Sequence, residues 1–294
     1  MTRSLFTQTE LPFLLVFNNK EEAAYYLNDM EQLVGEKDVL FYPASFRRPY
    51  QIEETDNANV LLRAEVLNRI NSRKKPAVIV TYPEALFEKV VTRKELDKNT
   101  LKVAVNDKIS IDFINEVLFE YEFKRVDFIT EPGEFSVRGG IVDVFSFSND
   151  NPYRIEFFGN EVESIRTFDV ATQLSIETKK KITIIPNVEN SFFQENRESF
   201  LDYISPQTVI FIQNTELLLA DLDKHFGKAE EAFAKLSQEI KRATPEQLFL
   251  NQASFIKRAL DFSVVEWGSK AIFKTLKTLP FHFQPHPSFN NQFD

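Results

Sequence analysis

The chain has 294 residues, no cysteine and a formal net charge of −9, with an isoelectric point near 5.1. The absence of cysteine excludes disulfides, thiolate zinc sites and cysteine nucleophiles, and no run of about 18 apolar residues offers a membrane span. We therefore expect a soluble cytoplasmic protein, and its acidic balance is unfavourable for autonomous nucleic-acid binding, because phosphate neutralisation supplies most of that affinity.

The first hundred residues alternate strand and helix. The apolar run FLLVF at 13–17 is typical of a buried parallel strand. Asn19, with Glu22 three residues later, predicts the cap of a helix. Strand patterns lie at 13–17, 38–43 and 77–82, and helical patterns lie at 20–34, at 59–70 and from Pro83 onward. This alternation predicts a small α/β domain with a parallel sheet.

The middle of the chain has a different pattern. A helix over 110–123, capped by Ser110, precedes short strands joined by tight turns. The predicted strands are 126–130, 140–147, 153–158 and 161–168. The last three form an antiparallel meander, so residues 101–186 are expected to be an α+β domain.

The α/β pattern returns near the C-terminus. Strands are predicted at 208–213 and 263–268, with helical residues over 215–243. The segment 279–294 is rich in proline and asparagine, which is typical of a linker. The order of patterns predicts that an α+β domain is inserted into one outer α/β domain.

No motif in the chain specifies catalysis, a cofactor or a metal. A P-loop needs G-x-x-x-x-G-K-[ST], but the Gly-Lys pair at Gly227 lies in a helical pattern and precedes alanine. His282 and His286 have the i, i+4 spacing of zinc ligands, but a proline lies between them. Glu161 and Glu163 share a strand face, as paired catalytic carboxylates do, although a solvated edge explains them better. We expect no catalytic residue, cofactor or metal.

Strand alternation divides the segment 153–158 into two faces. One face is wholly apolar and is expected in the core; it consists of Tyr153, Ile155 and Phe157. The other carries Arg154, Glu156 and Phe158 and is expected to face water. An arginine beside an exposed aromatic has the composition of an interface hot spot. The residues alone leave a second interpretation open, in which Phe158 packs under a loop and Arg154 forms a weak surface ion pair with Glu156 or Glu163.

The run GEFSVRGGIVDVFSFSNDNPYRIEFFGNEVESIRTFDVATQ, residues 133–173, resembles domain 2 of the bacterial nucleotide-excision-repair protein UvrB. It resembles the matching domain of the transcription-repair coupling factor family, Mfd, even more fully. Two positions depart from the Mfd pattern. Asn160 replaces the usual aspartate and keeps a turn-compatible residue, whereas Leu174 replaces the usual arginine and removes a basic side chain.

A weaker resemblance to Mfd extends over the whole chain. It implies domain 1a at 1–100, domain 2 at 101–186, and domain 1b with a C-terminal linker at 187–294. The implied fold is a degenerate helicase-like α/β domain without a P-loop, interrupted by the α+β domain that carries the meander.

The resemblance implies a non-catalytic adaptor that recruits UvrA to stalled RNA polymerase for nucleotide-excision repair. The implied UvrA contacts are Arg138, Arg154 and Phe158, with Glu156 as a supporting residue on the same face. RNA polymerase, DNA and ATP-driven translocation belong to other domains of the full-length family members, and another domain can mask domain 2. The alternative is a degenerate helicase-like domain that binds DNA or nucleotide directly, which the missing P-loop and the acidic charge disfavour.

Overall fold

The computed structural model describes most of the chain. The described residues are 2–45, 50, 57–72, 75–98, 100–147, 149–185, 197–235, 243–268, 271–273 and 277–280. The predicted linker from residue 281 onward, with His282 and His286, lies outside them.

The helices of the described part include those predicted at 20–34, at 59–70, from Pro83, over 110–123 and from residue 215, together with several short helices that were not predicted. They are α1 (Thr2–Thr9), α2 (Lys20–Val34), α3 (Asn57–Ser72), α4 (Pro83–Phe87), α5 (Arg93–Lys98), α6 (Ile111–Glu120), α7 (Phe200–Tyr203), α8 (Thr215–Lys235), α9 (Pro245–Leu248) and α10 (Gln252–Ala259). The predicted cap of α2 is confirmed, because the Asn19 side chain accepts a hydrogen bond from the Glu22 amide at 2.9 Å. None of these helices is long and apolar enough to cross a membrane.

Strands alternate with the helices in both outer parts of the chain and follow one another in the middle. They are β1 (Phe13–Val16), β2 (Val39–Phe41), β3 (Val78–Thr81), β4 (Val90–Val91), β5 (Leu101–Ala104), β6 (Lys124–Arg125), β7 (Glu134–Arg138), β8 (Ile141–Val144), β9 (Tyr153–Phe158), β10 (Glu161–Phe168), β11 (Ser175–Thr178), β12 (Lys181–Ile184), β13 (Arg197–Glu198), β14 (Val209–Ile212) and β15 (Ser263–Glu266).

One sheet is parallel and draws its strands from both ends of the chain. Its order is β15-β14-β1-β3-β2. The central strand β1 pairs with β3 on one side and with β14 on the other, so that Phe13 lies between Val78 and Val209. All four residues of β1 are buried, as its continuous apolar run predicts. The helicase-like character of this sheet and the domain boundaries near residues 100 and 186 stay predictions.

The second sheet comes from the middle of the chain, in the order β11-β10-β9-β8-β7-β6. Strands β7 to β11 pair antiparallel, and the pairings of β9 with β8 and with β10 confirm the predicted three-stranded meander; β6 pairs with β7 in parallel. The chain enters and leaves this part through β5 and β12, which form a separate antiparallel ribbon with Ala104 opposite Lys181. The structure is therefore a mixed α/β protein with one parallel and one antiparallel sheet.

The prediction of a strand at 126–130 is wrong, because this segment is a loop. The amides of Thr130 and Glu131 donate to the Glu134 carboxylate at 2.8 and 3.2 Å. Ile129 turns inward and packs with Phe145 and Phe168 in a small second core. Side-chain capture of backbone donors competes here with strand pairing.

The buried face of β9 supplies a first test of the fold. Ile155 is fully buried and belongs to the same core as Ile114 and Leu118 of α6, whereas Phe158 is 80% exposed. We expect Ile155→Ala to lower the free energy of unfolding by about 2–5 kcal/mol and Phe158→Ala to change it by less than about 0.5 kcal/mol. Urea denaturation followed by circular dichroism measures both. Equal losses in the two variants would contradict the two-sided assignment of this strand.

Candidate protein-interaction surface

The antiparallel sheet carries a polar face opposite its apolar one. Directly opposed residues of neighbouring strands point to the same side, so the strand register sorts this face into rows. One row contains Ser136, Asp143, Arg154 and Arg166, and the next contains Arg138, Ile141, Glu156 and Ser164. A bulge between Val162 and Ser164 sets the register of β10 against β9. Phe158 lies two residues beyond Glu156 on the same side of β9.

Asp143 connects the two arginines of this face that the sequence singles out. Arg154 donates from Nε to Oδ1 at 2.7 Å and from Nη2 to Oδ2 at 2.8 Å, and Arg138 donates from Nη2 to Oδ2 at 2.5 Å. The Asp143 side chain is only 1% exposed. A carboxylate this buried requires charged or hydrogen-bonded partners. The same carboxylate therefore holds both guanidinium groups in place.

Arg154 lies mostly below the surface. Its side chain is 15% exposed, and its guanidinium carbon lies 4.3 Å from the centre of the Phe168 ring. It also donates to Gln173 Oε1 at 3.1 Å. The hydrogen bonds to Asp143 raise the pKa of Arg154 further above its usual range. The expectation that Arg154 faces water is therefore right about the face but wrong about the extent of exposure, because Asp143 draws the guanidinium inward.

Glu156 is held by groups of the sheet itself. It accepts from Ser164 Oγ at 2.6 Å and from Arg166 Nη2 at 2.5 Å. The Ser164 hydrogen bond, opposed by partial burial and aided by the Arg166 charge, lowers the pKa of Glu156. The second interpretation from the sequence is therefore wrong in its pairing, because Arg154 pairs with Asp143 and Glu156 pairs with Arg166.

Phe158 projects from the end of β9 and is largely exposed, so the alternative in which it packs under a loop is wrong. It lies just before the turn at Gly159 and Asn160, where Gly159 has a φ of 62°. That left-handed conformation favours glycine. Asn160 is accommodated in the turn, and Leu174 is 68% exposed between Gln173 and β11. An aromatic side chain with 80% exposure lies on the same face as the two arginines.

The chain is similar to one protein family and to several curated proteins. Residues 101–189 match the family model of the UvrB interaction domain, and this region contains the whole antiparallel sheet. The chain is 33% identical over 189 residues to the transcription-repair-coupling factor of Bacillus subtilis (strain 168), which covers 64% of the chain and 16% of that relative. The chain is a relative of the transcription-repair-coupling factors. Residues 101–189 are similar to the UvrB interaction domain.

Further transcription-repair-coupling factors show similar identity. The match to that of Rickettsia bellii (strain RML369-C) is 30% identical over 200 residues, or 68% of this chain and 18% of the relative. The match to that of Myxococcus xanthus is 30% identical over 176 residues, or 60% of this chain and 15% of the relative. The chain thus matches less than a fifth of the length of these coupling factors.

The polar face of the antiparallel sheet contains residues that the sequence analysis missed. Asp143 lies in the alternating strand I-V-D-V, where a carboxylate on the solvent side is an ordinary pattern. Its role depends on the β8–β9 register, which places it opposite Arg154. Gln173 and Phe128 reach the arginines from loops. Within the described residues, no cluster of His, Asp or Glu side chains is arranged to hold a metal ion.

The Asp143 bridge should stabilise the folded state of this protein. We expect Asp143→Asn to lower the free energy of unfolding by about 1–3 kcal/mol, because hydrogen bonds to charged groups are lost and two arginines lose their counter-charge. Urea denaturation provides the measurement. The control is Asp127→Asn, which neutralises an exposed aspartate of the same sheet's loop. Indistinguishable midpoints for the two variants would contradict the bridge.

Glu156 should contribute a pH-dependent part of the stability. Its pKa is lower in the folded protein than in the unfolded chain, so the ionised form stabilises the fold. This contribution is complete above the ordinary glutamate pKa of about 4.3 and is lost as the pH falls through the lower pKa of the folded protein. We expect wild type to exceed Glu156→Gln in stability at neutral pH and to lose that advantage in acid. Urea midpoints measured from pH 7 to pH 3 test this, and a pH-independent difference would contradict it.

Proposed function

We propose that this chain is a non-catalytic adaptor module that binds UvrA through the polar face of its UvrB interaction domain. In the full-length protein, the module would recruit UvrA to stalled RNA polymerase for nucleotide-excision repair. The observation that carries the proposal is the exposed Phe158 on the same face as the Asp143-bound pair Arg138 and Arg154, inside the region that matches the UvrB interaction domain.

The chemistry of this face suits a protein partner. Aromatic side chains and arginines dominate interface hot spots, and the charge network orients the arginines before any partner arrives, which reduces the entropy lost on binding. Phe158 offers apolar area, and Arg138, whose side chain is 40% exposed, offers hydrogen-bond donors. Arg154 and Glu156 are more enclosed, so we assign them mainly to shaping the face.

The remaining activities of the coupling factors are assigned to other parts of the full-length protein. RNA polymerase binding, DNA binding and ATP-driven translocation are proposed to lie outside this module, since the matched region is a small part of each relative. We also propose that another domain of the full-length protein masks the polar face until UvrA is needed. The division into domain 1a at 1–100, domain 2 at 101–186 and domain 1b at 187–294 belongs to the same proposal.

The aromatic contact gives the sharpest test of UvrA binding. We expect Phe158→Ala to weaken binding by about 30-fold, the effect of a hot-spot truncation of about 2 kcal/mol, and Arg138→Ala to weaken it as well. Isothermal titration calorimetry with purified UvrA measures the affinity. Leu260→Ala is the matched control, because it truncates an apolar side chain that is 65% exposed beyond the antiparallel sheet.

Stability measurements separate contact from folding in these variants. Phe158→Ala should unfold like wild type, whereas Arg154→Ala should lose both stability and binding because it leaves Asp143 buried with fewer donors. Unchanged UvrA affinity in both Phe158→Ala and Arg138→Ala would refute the proposed function.

A further inference from the structure

We propose that Phe128 is a second aromatic contact for the same partner, and that Phe128 and Arg138 together receive a carboxylate-bearing, otherwise apolar segment of UvrA. This inference rests on the proposed function and adds a residue and a ligand chemistry to it. Phe128 lies outside the segment that carries the family resemblance, in the loop between β6 and β7.

The fold of this loop explains why Phe128 points outward. Ile129, on its C-terminal side, is 2% exposed in the small core with Phe145 and Phe168, and Val126 packs against the same core. These two anchors fix the loop on the polar face of the sheet. Phe128, between them, remains 66% exposed. An exposed aromatic on a loop that is anchored on both sides is a prearranged contact.

Arg138 joins Phe128 to the charge network. Its guanidinium carbon lies 5.1 Å from the centre of the Phe128 ring, within the range of a cation–π contact. The same guanidinium donates to Asp143. Because Arg138 is 40% exposed, part of it stays available between the ring and the bridge. Phe128, Arg138 and Asp143 therefore form one continuous arrangement.

The space beside the ring indicates what it can receive. Arg125, Asp127, Phe128, Val137 and Arg138 are among the residues that line an open recess of about 440 Å³. Two arginines against one aspartate favour an anionic group, while the exposed Phe128 ring favours an apolar neighbour. The Ser136 hydroxyl, also at this recess, already donates to the Asp127 carbonyl at 3.0 Å. A carboxylate flanked by apolar side chains meets both requirements.

The two exposed aromatics lie on different sides of Arg138, with Phe128 beside it in the β6–β7 loop and Phe158 two strands away on β9. Arg138 ends β7, Phe158 ends β9, and β8 runs between them. Strands two places apart are separated by roughly 10 Å, a width that accommodates one extended segment or one loop of a partner. Phe128 lies on the β7 side of this span and Phe158 on the β9 side. A single partner segment can therefore contact both rings.

Titration of the full chain with purified UvrA tests the inference. We expect Phe128→Ala to weaken binding by about 10-fold, more than most interface truncations but less than a hot spot, with an unchanged unfolding midpoint. Phe128→Tyr, which keeps the ring, should bind like wild type, and Arg125→Glu should weaken binding by repelling the carboxylate. Phe113→Ala is the matched control, because Phe113 is a 47% exposed phenylalanine on α6, whose buried residues face the other side of the sheet.

The outcomes separate this inference from the proposed function. Wild-type affinity in Phe128→Ala together with weak binding in Phe158→Ala would overturn the inference and leave the proposed function standing. Wild-type affinity in Phe128→Ala, Phe158→Ala and Arg138→Ala alike would overturn both. A fall in stability that parallels the fall in affinity would make Phe128 a structural residue and overturn the inference, and tighter binding by Arg125→Glu would overturn the acidic partner.

Discussion

The buried carboxylate of Asp143 is the constraint on which the polar face depends. A charge at 1% exposure survives in a strand only with compensation, and here two arginines from the neighbouring strands provide it. Because both guanidinium groups converge on one carboxylate, their positions are correlated. The orientation of the Arg138 donors and the depth of Arg154 both follow from this one interaction.

Strand β9 carries core side chains on one side of the sheet and an exposed phenylalanine on the other. Tyr153, Ile155 and Phe157 belong to the core, while Phe158 is exposed on the side of the arginines. Adjacent phenylalanines thus have unrelated environments, because successive side chains point in opposite directions. The core of the fold depends on the inward side chains of this strand, and the proposed partner contact depends on Phe158, so that a change at Phe158 need not disturb the core.

Local patterns predict much of this protein, and long-range pairing accounts for what they miss. The Asn19 cap, the bounds of β9 and β10 and the division of β9 into two faces follow from neighbouring residues alone, whereas the residues alone left the exposure of Phe158 open. The Asp143 bridge requires the register of β8 against β9, which no local signal specifies. The segment 126–130 has the composition of a strand, but the Glu134 carboxylate takes its amides. The exposure of Phe128 depends on the conformation of that loop, which the local sequence pattern did not predict.

The ribbon of β5 and β12 has a mechanical consequence for the polar face. The chain both enters and leaves the antiparallel sheet through this ribbon, whose strands are hydrogen-bonded over four residue pairs. Two paired connections resist twisting far better than a single linker, which allows free rotation. A force on the antiparallel sheet would therefore reach the parallel sheet through two hydrogen-bonded connections. The antiparallel sheet would therefore move together with the parallel sheet rather than rotate independently of it.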